Sequence, residues 1–243
     1  MRKKRASVKI GTSGYQYEHW KGIFYPDSLP KTQWFDFYAQ YFGTVELNNT
    51  FYNLPKEKTF DDWFNNAPDG FCFALKYSRY GTHMKRLKDP EGHISLFLHH
   101  ARHLKTKLGP VLVQLPPNWN ANPERAAAFL EQAPSTQRWA FEFRDSSWLC
   151  DEMYAVLRQY NAALVIHDML DNHPARITAD WVYLRFHGNN YSGNYSEQKL
   201  SAVARKVKEY LEDGLDVYVY FNNDMAGCAV QDALDLKRYC TDH

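Results

Sequence analysis

Trp139-Ala140-Phe141-Glu142-Phe143-Arg144 is the stretch that decides the fold. Side chains alternate along a β-strand, so residues two apart share a face. Phe141 and Phe143 then lie on one face, while Ala140, Glu142 and Arg144 lie on the other. Two bulky apolar side chains suit packing against a helix layer. That leaves a carboxylate and a guanidinium on the inner face of the sheet, at the C-terminal end of the strand.

Seven further runs of similar length share this character. They are Val8–Thr12, Thr44–Asn48, Phe71–Lys76, Val111–Leu115, Ala163–Asp168, Trp181–His187 and Val217–Asn223. Helical patterns separate them: Thr32–Phe42, Glu57–Asn66, Ile94–Leu108, Glu124–Gln132, Asp151–Tyr160, Ser196–Glu212 and Ala226–Tyr239. Asn122 caps the fourth of these, with Pro123 in its first turn. Strands alternating with helices predict parallel βα units. Eight such units predict a closed parallel (β/α)8 barrel of the TIM type, whose usual length of about 250 residues matches this chain. Pro174 interrupts the stretch after the sixth strand, so the sixth helix is expected to be short or absent. No linker or internal repeat is visible, and residues 1–243 are expected to form one domain.

Composition narrows the function classes. Of the 243 residues, 44% are hydrophobic and 23% charged, and the net charge of +1 offers no global attraction to nucleic acid or membrane. No apolar stretch is long enough to span a bilayer. The basic start, Met1-Arg2-Lys3-Lys4-Arg5, has no apolar segment behind it to make a signal peptide. Cys72, Cys150, Cys228 and Cys240 are scattered, which predicts reduced thiols in a cytoplasmic protein.

Alternation applied to the other strands gathers a polar set at the strand C-terminal ends, where a barrel carries its chemistry. Glu46 groups with Asn48, and Arg185 with His187. Lys76 shares a face with Cys72 and Ala74, and Gln114 opposes Val113 and Leu115. His167 and Asp168 face opposite ways, as do Asn222 and Asn223, and the sequence leaves open which points inward. One buried ion pair, Glu142 with Arg185 or with Arg144, would suffice to close the barrel top. Several charges on separate strands favour a ligand site, because each buried charge is costly.

Lys76, Arg144 and Arg185 suit a phosphate or carboxylate. Asn48, Gln114, Asn222 and the rings Tyr15 and Trp20 of the first loop are further substrate-binding candidates. Glu46 and Glu142 are the candidate general acid and base, assisted by His187 and Asp168. No cofactor is required by this reading. A divalent cation on Glu46, Glu142, His187 and Asp168 is the open alternative. The expected partner is a small anionic substrate. The Lys76–Lys88 loop has five cations, no acid, and the rings Tyr77 and Tyr80, which makes nucleic acid a second candidate partner. Gly188–Gly193 is a weaker candidate phosphate cradle. His99 and His103, at i and i+4 on one helix, are expected on a solvated face. The outcome is an enzyme, a hydrolase or a lyase or isomerase, with a non-catalytic polyanion binder as the rival. The oligomeric state is not legible.

Particular strings add a resemblance. Ile10-Gly11-Thr12-Ser13-Gly14 with Trp20 and Phe24-Tyr25-Pro26, Thr44-Val45-Glu46-Leu47-Asn48, and Phe73-Ala74-Leu75-Lys76 with Thr82-His83 are three of them. Gln114-Leu115-Pro116-Pro117, Glu142-Phe143-Arg144 with Ser147-Trp148, Tyr183-Leu184-Arg185-Phe186-His187-Gly188 and Tyr220-Phe221-Asn222-Asn223 continue the series. In this order they resemble the YecE-like proteins, the domain-of-unknown-function family seventy-two, with Tyr15 where that family usually has Trp. The resemblance implies a TIM-type barrel and no established reaction. By fold that family is similar to barrels of the endonuclease IV and xylose isomerase kind, which use metals at the mouth. This brings in metal-dependent phosphodiester hydrolysis by analogy of fold alone.

Overall fold

β-Branched and aromatic side chains fit a pleated, packed surface, and they fill all eight runs. In the computed structural model, which describes residues 5–188 and 191–241, each run is a strand. The strands are β1 (Val8–Thr12), β2 (Thr44–Leu47), β3 (Cys72–Lys76), β4 (Leu108–Gln114), β5 (Trp139–Glu142), β6 (Ala163–His167), β7 (Trp181–Phe186) and β8 (Asp216–Phe221). The helices are α1 (Trp34–Tyr41), α2 (Asn49–Tyr52), α3 (Glu57–Asn66), α4 (Pro90–Ala101), α5 (Pro123–Gln132), α6 (Asp151–Gln159), α7 (Glu197–Glu212) and α8 (Cys228–Thr241). The strands are parallel and ordered β1-β8-β7-β6-β5-β4-β3-β2, as in a TIM-type (β/α)8 barrel. Among the described residues no helix lies between β6 and β7, as Pro174 predicts.

The chain divides into two compact units, Met1–Glu46 with Asp180–His243, and Leu47–Ala179. In the first unit β8 pairs with both β1 and β7, setting Val219 opposite Ile10 and Tyr220 opposite Arg185. β1 reaches β2 through the Ser13–Glu46 bridge, where Gly14 N donates to Glu46 O at 2.8 Å. Tyr38 of α1 ties the two strands from outside. Its hydroxyl accepts from Thr12 N and donates to Thr44 O, each at 3.0 Å. The strands come so near that a Cβ on Gly11 would collide with Thr44 O, so only glycine fits there.

In the second unit β4 pairs with β3 and β5, and Gln114 stands beside Glu142. The outward assignment of Phe141 and Phe143 holds. Phe141 meets Phe129 of α5 edge-on at 5.8 Å, and Phe143 stacks on Trp148 at 5.1 Å. β4 begins three residues before Val111, at Leu108. Gly109 lets β4 approach β3, since a Cβ there would collide with Cys72 Sγ.

Other boundaries also differ from the sequence expectation, and those of β2, α4 and α8 do so for local reasons. β2 ends at Leu47, and Asn48 turns with φ −96° and ψ −13° into the one-turn helix α2. Strand alternation therefore does not place Asn48 beside Glu46. α4 starts earlier than Ile94, at Pro90 behind a left-handed Asp89 (φ 46°), and ends at Ala101. A 3-10 segment, Arg102–Lys107, follows it with a break at Lys105. Cys228 opens α8 after Ala226 and Gly227, both at positive φ.

Gly11→Ala is expected to destabilise the fold by about 1–3 kcal/mol through the backbone collision. Gly92→Ala, in α4 with open space around it, should instead stabilise by roughly 0.5–1 kcal/mol. Urea unfolding of the two variants checks the contrast.

Candidate functional site

Each unit buries one carboxylate against one guanidinium. In the first unit Glu46, near the end of β2, is fully buried. Its Oε1 accepts from Arg185 Nη2 at 2.7 Å and Ser13 Oγ at 2.8 Å, and its Oε2 from Tyr183 OH at 2.6 Å. Tyr183, Arg185 and His187 alternate along one face of β7, which is why the three arrive together. Arg185 Nη1 lies 3.2 Å from His187 Nε2. A guanidinium has no acceptor, so the ring nitrogen accepts and a neutral His187 carries its hydrogen on Nδ1. Tyr17 OH donates to Ser13 O at 2.6 Å, and burial pushes its pKa well up, so the first loop supplies a protonated phenol.

In the second unit Glu142 is fully buried and ion-paired with Arg144 Nε. The Arg144 side chain is 10% exposed, against 1% for Arg185, so this pair is the one that meets solvent. His167 closes β6. Its Nε2 bonds Phe143 O at 2.9 Å and its Nδ1 accepts from Met169 N at 3.1 Å. Those two contacts impose the neutral Nε2–H tautomer. Burial lowers its pKa to about 4, against the opposing pull of Glu142. His173 lies 4.3 Å away, ring to ring, with Nδ1 on Pro174 O at 3.1 Å and Nε2 buried without a hydrogen-bond partner.

His83 lies in the π-helical turn Tyr80–Met84, where the charge of Arg144 acts on it. Thr82 Oγ1 spends its hydrogen on Ser78 O, so its 2.9 Å contact with His83 Nδ1 is a bond donated by the ring. Nε2 is then the site a proton would join. Burial lowers the His83 pKa to about 4, helped by the positive charges of Lys76, Arg79 and Arg144. Lys76 Nζ sits 4.3 Å over the Phe51 ring.

The candidates read from the sequence thus fall into two groups. Glu46, Arg185 and His187 meet in one unit; Glu142, Arg144 and Gln114 meet in the other, where Lys76 and Arg144 both act on His83. Beside Glu142 it is His167 that is buried, while Asp168 is exposed. Asn223, fully buried, donates to Asp232 Oδ2 and Gly193 O, while Asn222 is half-buried. Asn48 Oδ1 is buried without a hydrogen-bond partner. Trp20 is fully buried, with its indole N–H on Asp224 O at 2.8 Å, and Tyr15 packs edge-on against Phe35.

In the basic loop Tyr77 is buried against Phe97 and Phe129, which corrects its reading as a stacking surface; Tyr80 is exposed. His99 and His103 bond Glu57 and Asp61 on the surface, each at 2.9 Å. In the candidate phosphate cradle, Asn189 and Asn190 lie outside the described residues, as does the basic start at residues 1–4. Gly188 N donates to Tyr195 OH at 2.5 Å. Ser13, Tyr183, His83 and His173 were not singled out from the sequence. Alternation with Arg185 was the available signal for Tyr183, and the Thr82-His83 string for His83.

Among the described residues no three His, Cys, Asp or Glu side chains gather as a metal site. Among the described residues the cysteines form no disulfide, and no helix is long and apolar enough to cross a membrane.

Residues 9–243 match the family model described as "Protein of unknown function DUF72". The UPF0759 protein YunF of Bacillus subtilis is 24% identical over 263 residues, covering 91% of this chain and 90% of that protein. The UPF0759 protein YecE of Escherichia coli K12 is 27% identical over 142 residues, 56% of this chain and 52% of that protein. A crystal structure of a DUF72 family protein from Thermotoga maritima superposes with a TM-score of 0.87 at 30% identity, covering 97% of this chain and all of that one. One from Enterococcus faecalis gives a TM-score of 0.80 at 20% identity, covering 97% and 96%.

Arg185→Met strands the Glu46 carboxylate in the interior and should cost about 3–5 kcal/mol. The double variant Glu46→Leu, Arg185→Met removes both charges and should recover more than half of that loss. Chemical denaturation of the single and double variants measures it.

Proposed function

The chain belongs to the DUF72 family, and within it we propose that this protein is an enzyme acting on a phosphate- or carboxylate-bearing substrate. Lys76 and Arg144 hold the anion, and Glu142 moves the proton. The observation that carries the reading is that Lys76 Nζ and the His83 ring both lie against Phe51, at 4.3 Å and 5.1 Å, with Arg79 four residues before His83 in the chain, and that Arg144, whose charge also acts on His83, is paired to buried Glu142. Three positive charges near one neutral imidazole make a local field that favours an anion.

An arriving anion competes with Glu142 for the Arg144 guanidinium. As that pair loosens, Glu142 becomes a better proton acceptor. The same anion offsets the cations around His83 and lets its Nε2 take up a proton, which supplies an acid. Gln114, in register with Glu142, and the unpartnered His173 Nε2 offer the substrate neutral hydrogen-bonding groups.

In the other unit the three donors on Glu46 suit it to holding Arg185, and Arg185 in turn sets the His187 tautomer. The proposed chemistry uses side chains alone and calls for no cofactor. Four cysteines not joined in disulfides accord with the reducing, cytoplasmic setting we propose.

Phosphate at millimolar concentration should raise the melting temperature, because a ligand that binds only the folded state stabilises it. Arg144→Ala should remove that shift. Across a panel of phosphate and carboxylate esters, Glu142→Gln should lose turnover by about a hundredfold or more while phosphate affinity is kept or raised, since the competing carboxylate is gone. Binding without turnover in the wild type would support the rival, a non-catalytic polyanion binder. No phosphate shift in the wild type would remove the anion reading.

A further inference from the structure

A groove of about 500 Å³ opens in the second unit, between α2, the turn after β3, and α4. Its walls include the rings of Phe51, Tyr52, Tyr80, His93 and Phe97 together with Leu96. Three of these apolar side chains are strongly exposed: Tyr52 at 70%, Leu96 at 55% and Tyr80 at 43%. Exposed rings set in a concave wall mark a ligand surface better than scattered surface apolar residues do. The volume lies in the range of a small-molecule site, and the wall is built mostly of aromatic faces and edges. Phe51 meets Tyr52 edge-on at 5.0 Å, and Tyr80 meets His93 edge-on at 4.8 Å.

Phe51 also joins this groove to the cation cluster. Its ring lies 4.3 Å beneath Lys76 Nζ and 5.1 Å from the His83 ring, which meets it edge-on. Ser78 and Tyr80, on the groove wall, flank Arg79 in the chain, and the turn that carries Tyr80 carries His83 three residues on. One side chain thus stands between an apolar, ring-lined wall and a group of positive charges.

We propose that this groove is a ring subsite: the substrate carries a planar aromatic group that stacks between Tyr52, Tyr80 and Leu96, with its anionic group at Lys76 and Arg79. The proposal rests on the anion reading of Lys76 and Arg144 and deepens it to an aryl- or nucleobase-bearing anion. A bare phosphate or a small aliphatic acid would leave the groove empty. Charge complementarity selects this occupant over an uncharged ring, because the wall opens beside cations.

Isothermal titration of the wild type with inorganic phosphate, 1-naphthyl phosphate and 1-naphthol separates the two claims. The naphthyl ester should bind at least about tenfold more tightly than phosphate, and more tightly than the uncharged naphthol. Tyr52→Ala and Leu96→Gln, both at exposed positions, should cut the ester's advantage to about twofold or less and leave phosphate affinity in place. Phosphate binding with no gain for the ester, or an advantage that survives both substitutions, would overturn the ring subsite and leave the anion reading standing. Naphthol binding as tightly as the ester would overturn the link between groove and cations. Failure of both phosphate and the ester to bind would overturn the anion reading together with the subsite.

Discussion

A carboxylate taken from water into a protein interior loses several kcal/mol of solvation, and an isolated one would take up a proton instead. Glu46 and Glu142 are both fully buried at the ends of strands, and each is met by an arginine of its own unit. The surrounding structure follows from that need. Ser13 must follow β1 closely enough to reach Glu46, so Gly11 has to let β1 and β2 approach. Tyr183 and Arg185 must share a face of β7. On β5 the phenylalanines must turn outward to leave Glu142 and Arg144 on the other side.

The two pairs are built for different work. Glu46 takes three donors and holds a guanidinium that solvent hardly reaches. Rigid charge pairs of this kind position their neighbours, and here the neighbour is His187. The Glu142–Arg144 pair touches solvent only at its arginine, and its charges act on His167 and His83, whose pKa values burial lowers. Neutral imidazoles beside a paired carboxylate can change protonation state when a charged ligand arrives.

Much of this was legible in the chain. Alternation on β5 and β7 placed Glu142 with Arg144 and Arg185 with His187, because period two is a property of the backbone and survives any packing. The eight runs and Pro174 foretold the strand count and the missing helix. Asn48 was misplaced because β2 stops one residue early and a single helical turn follows, too short to leave a periodic signal. Tyr77 looks like a surface ring among lysines, yet its neighbours Phe97 and Phe129 lie far along the chain and only the fold brings them to it. His83 was hidden for a related reason. A π-helical turn has no familiar sequence spacing, and the cations that act on His83 include one from the end of β5.

The central claim is that Lys76, Arg79 and Arg144 create an anion-seeking field at His83. Titrating the His83 ring resonances by NMR, with and without phosphate, separates that field from burial, which is the larger cause of the lowered pKa, because an anion offsets only the charges. The ligand-free protein should show a pKa near 4, rising by about one unit or more when phosphate is bound, since an anion within a few ångströms favours the imidazolium. A ligand-free value near the ordinary one of about 6.5, or a depressed value that saturating phosphate leaves unmoved, would contradict it.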